Sequence, residues 1–151
     1  MKLVVDSMLG KLAKWLRVMG HDTHYQSFYG PGDIELLMKG RSYFLTRNRT
    51  RSGHYHHVVL LHSNKVEKQL AELKKNLPIQ SPRSNWFTRC LICNTLLEEK
   101  KKEEVQENVP EYVFYHNITT IKACHECGRY YWPGSHRSRM LVKLKEWGFG
   151  F

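Results

Sequence analysis

Four cysteines stand in two Cys-x-x-Cys pairs, Cys90 with Cys93 and Cys124 with Cys127. Two intervening residues let both thiolates of a pair reach one tetrahedral ion, and four thiolates saturate zinc without leaving a position for water. The pattern predicts a structural zinc that does no hydrolysis itself. Cys93 and Cys124 are separated by 30 residues, more than the usual ribbon spacing of about 15–20, and a Lys/Glu-rich excursion over 98–111 accounts for the excess. His125, inside the second pair, is a possible but unnecessary ligand. A second group could also do chemistry. The chain has three aspartates, Asp6, Asp22 and Asp33, all within its first 33 residues. Such acids suit a hard cation, since magnesium takes oxygen ligands and keeps several waters. Their plainer roles are strand end for Asp6, turn former for Asp22 and helix cap for Asp33.

The chain around these residues is basic. Over 151 residues the formal charge is +10, with Lys and Arg against Asp and Glu counting 15 to 6 over residues 1–89 and 9 to 8 over 90–151. The excess belongs to the N-terminal part. The stretch from Lys39 to His57 contains Arg41, Arg47, Arg49 and Arg51, adds His54, His56 and His57, and has no acid. A field of this sign attracts polyanions, nucleic acid first among them. No apolar run approaches the roughly 20 residues that span a bilayer, and Asp6 interrupts the opening where a signal peptide would be apolar. We expect a cytoplasmic protein with no membrane partner, and paired cysteines in that reducing setting suggest metal.

Hydrophobic periodicity indicates how these residues are positioned. Leu3, Val4 and Val5 read as a buried strand ending at Asp6, followed by Ser7 as an N-cap and a helix with Leu9, Leu12, Trp15, Leu16 and Met19 on one face, closed by Gly20. Lys11, Lys14 and Arg17 are expected opposite that stripe. Strands are expected over 23–26, 43–46 and 58–61. Helices are expected from Asp33 to Met38 and from Asn64, with Glu67 at capping-box spacing, to Leu77. Alternating strands and helices predict an α/β fold with a mainly parallel sheet and chemistry at the carboxyl ends of the strands, where Asp6 and Thr46 to Asn48 fall. Residues 81–85 read as a linker between an α/β domain over 1–80 and a zinc-ribbon subdomain over 86–151. The latter should have short aromatic strands at Tyr112 to His116 and Arg129 to Trp132, then a terminal helix.

Several segments are also similar to a known family. Residues 5–17, Gly20 to Thr23 and Leu45 to Arg49 resemble the PIN-like RNase domain of the Mut-seven C-terminal family. Residues 89–94, Val109-Pro110, Gly128 to Trp132 and Gly134 to His136 resemble its zinc ribbon, so the likeness covers nearly the whole chain. It implies a PIN-like α/β fold, a basic RNA-binding face, and acids at strand ends that bind magnesium or manganese for hydrolysis of RNA. Asp6 matches the first-strand acid and Asp33 the acid opening the short helix. Asn48 falls where the family usually has Asp in a Thr-Arg-Asp segment, and an amide brings a dipole where a carboxylate brings a full charge. The resemblance thus implies a metal-dependent ribonuclease with Asp6, Asp33 and Asn48 at its centre. The alternative is a non-catalytic RNA-binding module, associated with a ribonucleoprotein, whose nuclease site is degenerate.

Lys11, Lys14, Arg41, Arg47, Arg49, Arg51, His54, Arg129 and Arg137 are the candidate RNA contacts. Tyr130, Tyr131 and Trp132 could stack bases, or alternate members could face the ribbon core. The Lys100 to Lys102 run, flanked by glutamates, reads as a solvated face.

Overall fold

The computed structural model describes residues 1–40, 42–117 and 121–150; the expected RNA contact at Arg41 lies outside the described residues. The chain divides into two compact units, 1–87 and 88–151.

In the first unit β1 (Lys2–Val5), β2 (Asp22–Tyr25), β3 (Ser42–Thr46) and β4 (Val58–Leu60) form one sheet in the order β2-β1-β3-β4, every pair parallel. The α/β expectation holds. Leu3, Val4, Val5, Phe44 and Leu45 are all buried, as a sheet covered on both faces requires. Val4 and Phe44 share a cluster with Tyr29 and with Ile34 of α2 (Asp33–Leu37). The pleat sends Leu3, Val5 and Leu45 to the opposite face. There α1 (Gly10–Val18) packs on β1, on β2 and on α4 (Val66–Asn76), with Leu12, Leu16, Leu70 and Leu73 fully buried.

Three cap assignments differ from the sequence reading. Asp6, not Ser7, caps the chain leaving β1, its carboxylate accepting the Ser7 N–H of a 3₁₀ turn (Ser7–Leu9) that precedes α1. Gly32 is the N-cap of α2, and the Asp33 carboxylate instead accepts the Gly30 N–H at 2.7 Å. Lys65 starts α4 without a side-chain cap, so the expected capping box of Asn64 and Glu67 does not form. The segment read as a linker packs against the first unit: Ser81 Oγ donates to the Met19 carbonyl, and Phe87 N–H donates to the Val18 carbonyl. Among the described residues no helix is long and apolar enough to cross a membrane.

The second unit is built on very short strands. β5 (Glu98–Glu99), β6 (Lys122–Ala123) and β7 (Tyr130–Tyr131) pair antiparallel in that order, accompanied by α5 (Lys102–Val105), α6 (Glu111–Asn117) and α7 (Ser135–Glu146). The strand expected over Tyr112 to His116 is helix α6. Tyr112 and Tyr115 are exposed while Val113 and Phe114 are buried with Val105, Val109 and Ile121, an in-out pattern of period three to four.

Candidate nucleic-acid site and metal centre

The connection after β1 leads to β2, whereas that after β3 leads to β4 on the opposite side. The carboxyl ends of β1 and β3 therefore form the switch point where doubly wound sheets bind ligands. Asp6 follows β1, and its N–H extends the ladder to the Leu45 carbonyl at 2.9 Å. Its side chain is 0% exposed. Oδ1 accepts the Ser7 N–H at 2.8 Å and Arg51 Nη1–H at 2.7 Å, and Oδ2 accepts the Thr46 hydroxyl at 2.7 Å. Thr46 Oγ1 in turn accepts the Asn48 N–H at 3.0 Å, which leaves the hydroxyl proton committed to Asp6.

Asn48 brings Arg51 to this carboxylate. It is the N-cap of α3 (Arg49–Ser52), and its Oδ1 accepts the Arg51 N–H at 3.1 Å. The cap fixes the turn from which the guanidinium reaches back to Asp6. Arg51 is 39% exposed at its side chain, so the ion pair joins a buried acid to a base that touches solvent. Two tyrosines tie the end of β2 and the loop after it to the same edge. Tyr25 donates to the Ser7 carbonyl and Tyr29 to the Val5 carbonyl, both at 2.8 Å. Burial pushes the Tyr29 phenol up to about 12, so it stays a donor at neutral pH.

The fit of this edge to magnesium or manganese depends on free oxygen atoms. Three of the roughly four lone-pair positions of Asp6 are occupied, one of them by a guanidinium. The Asn48 oxygen serves its helix, and Asp33 Oδ2 serves the Gly30 turn. Among the described residues, the one grouping of three or more His, Cys, Asp or Glu able to share an ion is that of the four cysteines. As arranged, the donor set at Asp6 does not fit a divalent cation.

The predicted RNA contacts are spread over both units. Lys11, Lys14, Arg47, Arg49 and His54 are exposed in the first, Arg129 is exposed in the second, and Arg137 is half-buried there. Arg47 Nη2 lies 3.5 Å from the His62 carbonyl. Sequence reasoning grouped Arg51 with these contacts; the structure also makes it the counter-ion of Asp6. Its signal was its place three residues after a capping Asn48, although a sequence separation of 45 from Asp6 hid the pairing.

The cysteines meet as the spacing predicts, with all four Sγ atoms within 4.8 Å of one another. Cys90 Sγ lies 3.7 Å from Cys127 Sγ, close to the edge of about 3.8 Å expected for four sulfurs placed 2.3 Å from one tetrahedral ion. The two knuckles repeat one backbone pattern. Cys90 N–H donates to Thr95 O while Asn94 N–H donates to Cys90 O, just as Cys124 N–H donates to Arg129 O while Gly128 N–H donates to Cys124 O. Asn94 (φ 67°) and Gly128 (φ 76°) supply the left-handed residue of each turn. The donor set fits a tetrahedral thiophilic ion such as zinc. Burial raises the Cys124 thiol, but the Thr95 hydroxyl and the Cys127 and Glu126 N–H groups outweigh it, lowering the pKa to about 6. His125 lies outside the group, with Nδ1 3.7 Å from Glu98 Oε1.

The proposed stacking platform is resolved by its strand. Tyr130 and Trp132 pack on the Val105, Val109 and Phe114 cluster, whereas the Tyr131 hydroxyl lies 3.2 Å from Cys90 Sγ. All three serve the interior of the unit. Lys102 Nζ sits 5.7 Å over the Phe114 ring, so this member of the lysine run covers apolar surface as well as facing solvent.

A parallel α/β sheet with a buried acid at its switch point, followed by a four-cysteine cluster that can hold a metal ion, defines a small α/β protein of two units. The family model described as the Mut7-C RNAse domain matches residues 1–144, and the chain belongs to that family. Nothing among the curated proteins or the solved structures matches it.

Proposed function

We propose that this protein binds RNA through the basic carboxyl edge of its first unit and, with Asn48 and Arg51 as they stand, cleaves it slowly or not at all. The ion pair of Asp6 with Arg51 carries this conclusion. A carboxylate with 0% exposure, held by a guanidinium at 2.7 Å, already has its counter-charge, and a divalent ion would have to displace that partner against its own repulsion from it. Family membership supports RNA as the ligand. The charge supports phosphate contacts from Lys11, Lys14, Arg47, Arg49 and His54, all exposed on the surface. Four reduced thiolates suit a reducing compartment such as the cytoplasm. Attachment to a ribonucleoprotein is the role such a module would fill.

The second reading, a metal-dependent ribonuclease centred on Asp6 and Asp33, is favoured by one observation. Arg51 is partly exposed on a helix of four residues, and incoming phosphates could draw it away from Asp6.

Labelled single-stranded RNA incubated with the purified chain, with Mg²⁺, Mn²⁺ or chelator, tests the two. The expected result is metal-independent binding that weakens steeply with salt, as counterion release requires, with negligible cleavage. Mn²⁺-dependent cleavage should then appear in the double variant Asn48→Asp, Arg51→Leu and vanish again when Asp6→Asn is added. Chelator-sensitive cleavage by the unaltered chain, lost in Asp6→Asn alone, would establish the second reading instead.

A further inference from the structure

Within each knuckle the two cysteines differ in access to water. Cys90 and Cys124 are 0% and 1% exposed, whereas Cys93 is half-buried and Cys127 exposed. A zinc tetrathiolate carries a net charge of −2, and buried sulfur bearing part of that charge needs hydrogen-bond donors from the protein. Among the described residues, the two buried sulfurs are the two that lie beside hydroxyl groups. Tyr131 Oη lies 3.2 Å from Cys90 Sγ and accepts the Leu91 N–H at 3.1 Å, so its own proton is left for the sulfur. Thr95 Oγ1 lies 3.1 Å from Cys124 Sγ.

The connections are crossed. Thr95 follows the first knuckle and reaches a cysteine of the second; Tyr131 follows the second and reaches a cysteine of the first. We propose that Tyr131 and Thr95 are positioning residues of the metal centre, a reciprocal pair of hydroxyl donors that aligns the two knuckles and slows loss of the ion. The proposal rests on the assignment of the four cysteines to zinc. Outer-shell partners of this kind change metal affinity by about 10–100-fold when removed.

The test measures zinc content of the full chain, then zinc release to a chromogenic chelator, for the native protein and for Tyr131→Phe, Thr95→Val and Thr95→Ser. Tyr130→Phe serves as a control that removes a hydroxyl of the same strand on its other face. One bound zinc is expected in all. Release should be about 10–100-fold faster in Tyr131→Phe and in Thr95→Val, native-like in Tyr130→Phe, and restored by Thr95→Ser. The sulfur-to-metal charge-transfer bands of the cobalt-substituted protein should shift in the first two variants alone. Equal release from all variants with one zinc bound overturns the proposal while leaving the centre intact. A native chain that takes up no zinc removes the centre and the proposal together.

Discussion

At the scale of single residues, the first unit is organised by one carboxylate. Asp6 continues the β1 ladder through its backbone, caps the following turn, anchors Thr46 and receives Arg51. Thr46→Val preserves shape but leaves Oδ2 without its donor in a site closed to water. We expect a loss of about 1–3 kcal/mol of stability, measured by urea denaturation; an unchanged midpoint would show that water or another group replaces the hydroxyl. Residue types announced this site more readily than its geometry did. Asp6 stood out because the chain has so few aspartates, and the cysteines because of their spacing. Arg51 and Thr46 did not stand out as its partners, since sequence separations of 45 and 40 residues are closed only by the parallel register of β1 with β3.

At the scale of elements, α1 was legible because the Leu12, Trp15, Leu16, Met19 stripe fits the helical period alone, and β1 because the run Leu3 to Val5 is too short for a helix and ends at Asp6; the short helix α3, in a basic stretch without an apolar stripe, gave no such signal and read as a loop. α6 was illegible for the opposite reason. Tyr112, Val113, Phe114 and Tyr115 are all apolar or aromatic, so both periods fit, and only burial of the adjacent pair Val113 and Phe114 decides for helix. The turn leaving α1 has a sharper requirement. Gly20 has φ 89°, and a Cβ there would stand 2.2 Å from the Asn85 carbonyl oxygen. Gly20→Ala therefore adds left-handed strain to a backbone clash. The expected cost is about 2–4 kcal/mol, seen as a lower thermal midpoint, and a midpoint within a degree of the native value would contradict this packing.

At the scale of the whole molecule, the two units are stabilised in different ways. The first has a four-stranded sheet buried on both faces. The second has strands of two residues and an apolar cluster around Val105, Val109, Val113, Phe114 and Ile121, little enough that a metal held by its four cysteines would contribute folding energy outright. Chelation or acid, which protonates thiolates, is expected to open residues 88–151 to protease while residues 1–87 stay resistant. Mass-mapped cuts spread equally over both units would refute that division. The expectation of two parts came from the change in composition near residue 85, but the boundary fell later because Ser81, Trp86 and Phe87 are bonded into the first unit.

The capping bond of Asn48 separates the charge of this position from its role in folding. Asparagine and aspartate cap helices about equally well, so exchange at this position leaves the start of α3 intact whichever residue is present. Exchange of one for the other therefore changes the charge at the start of α3, on the strand-end side of Asp6 and Thr46, without removing the cap that holds Arg51 in place.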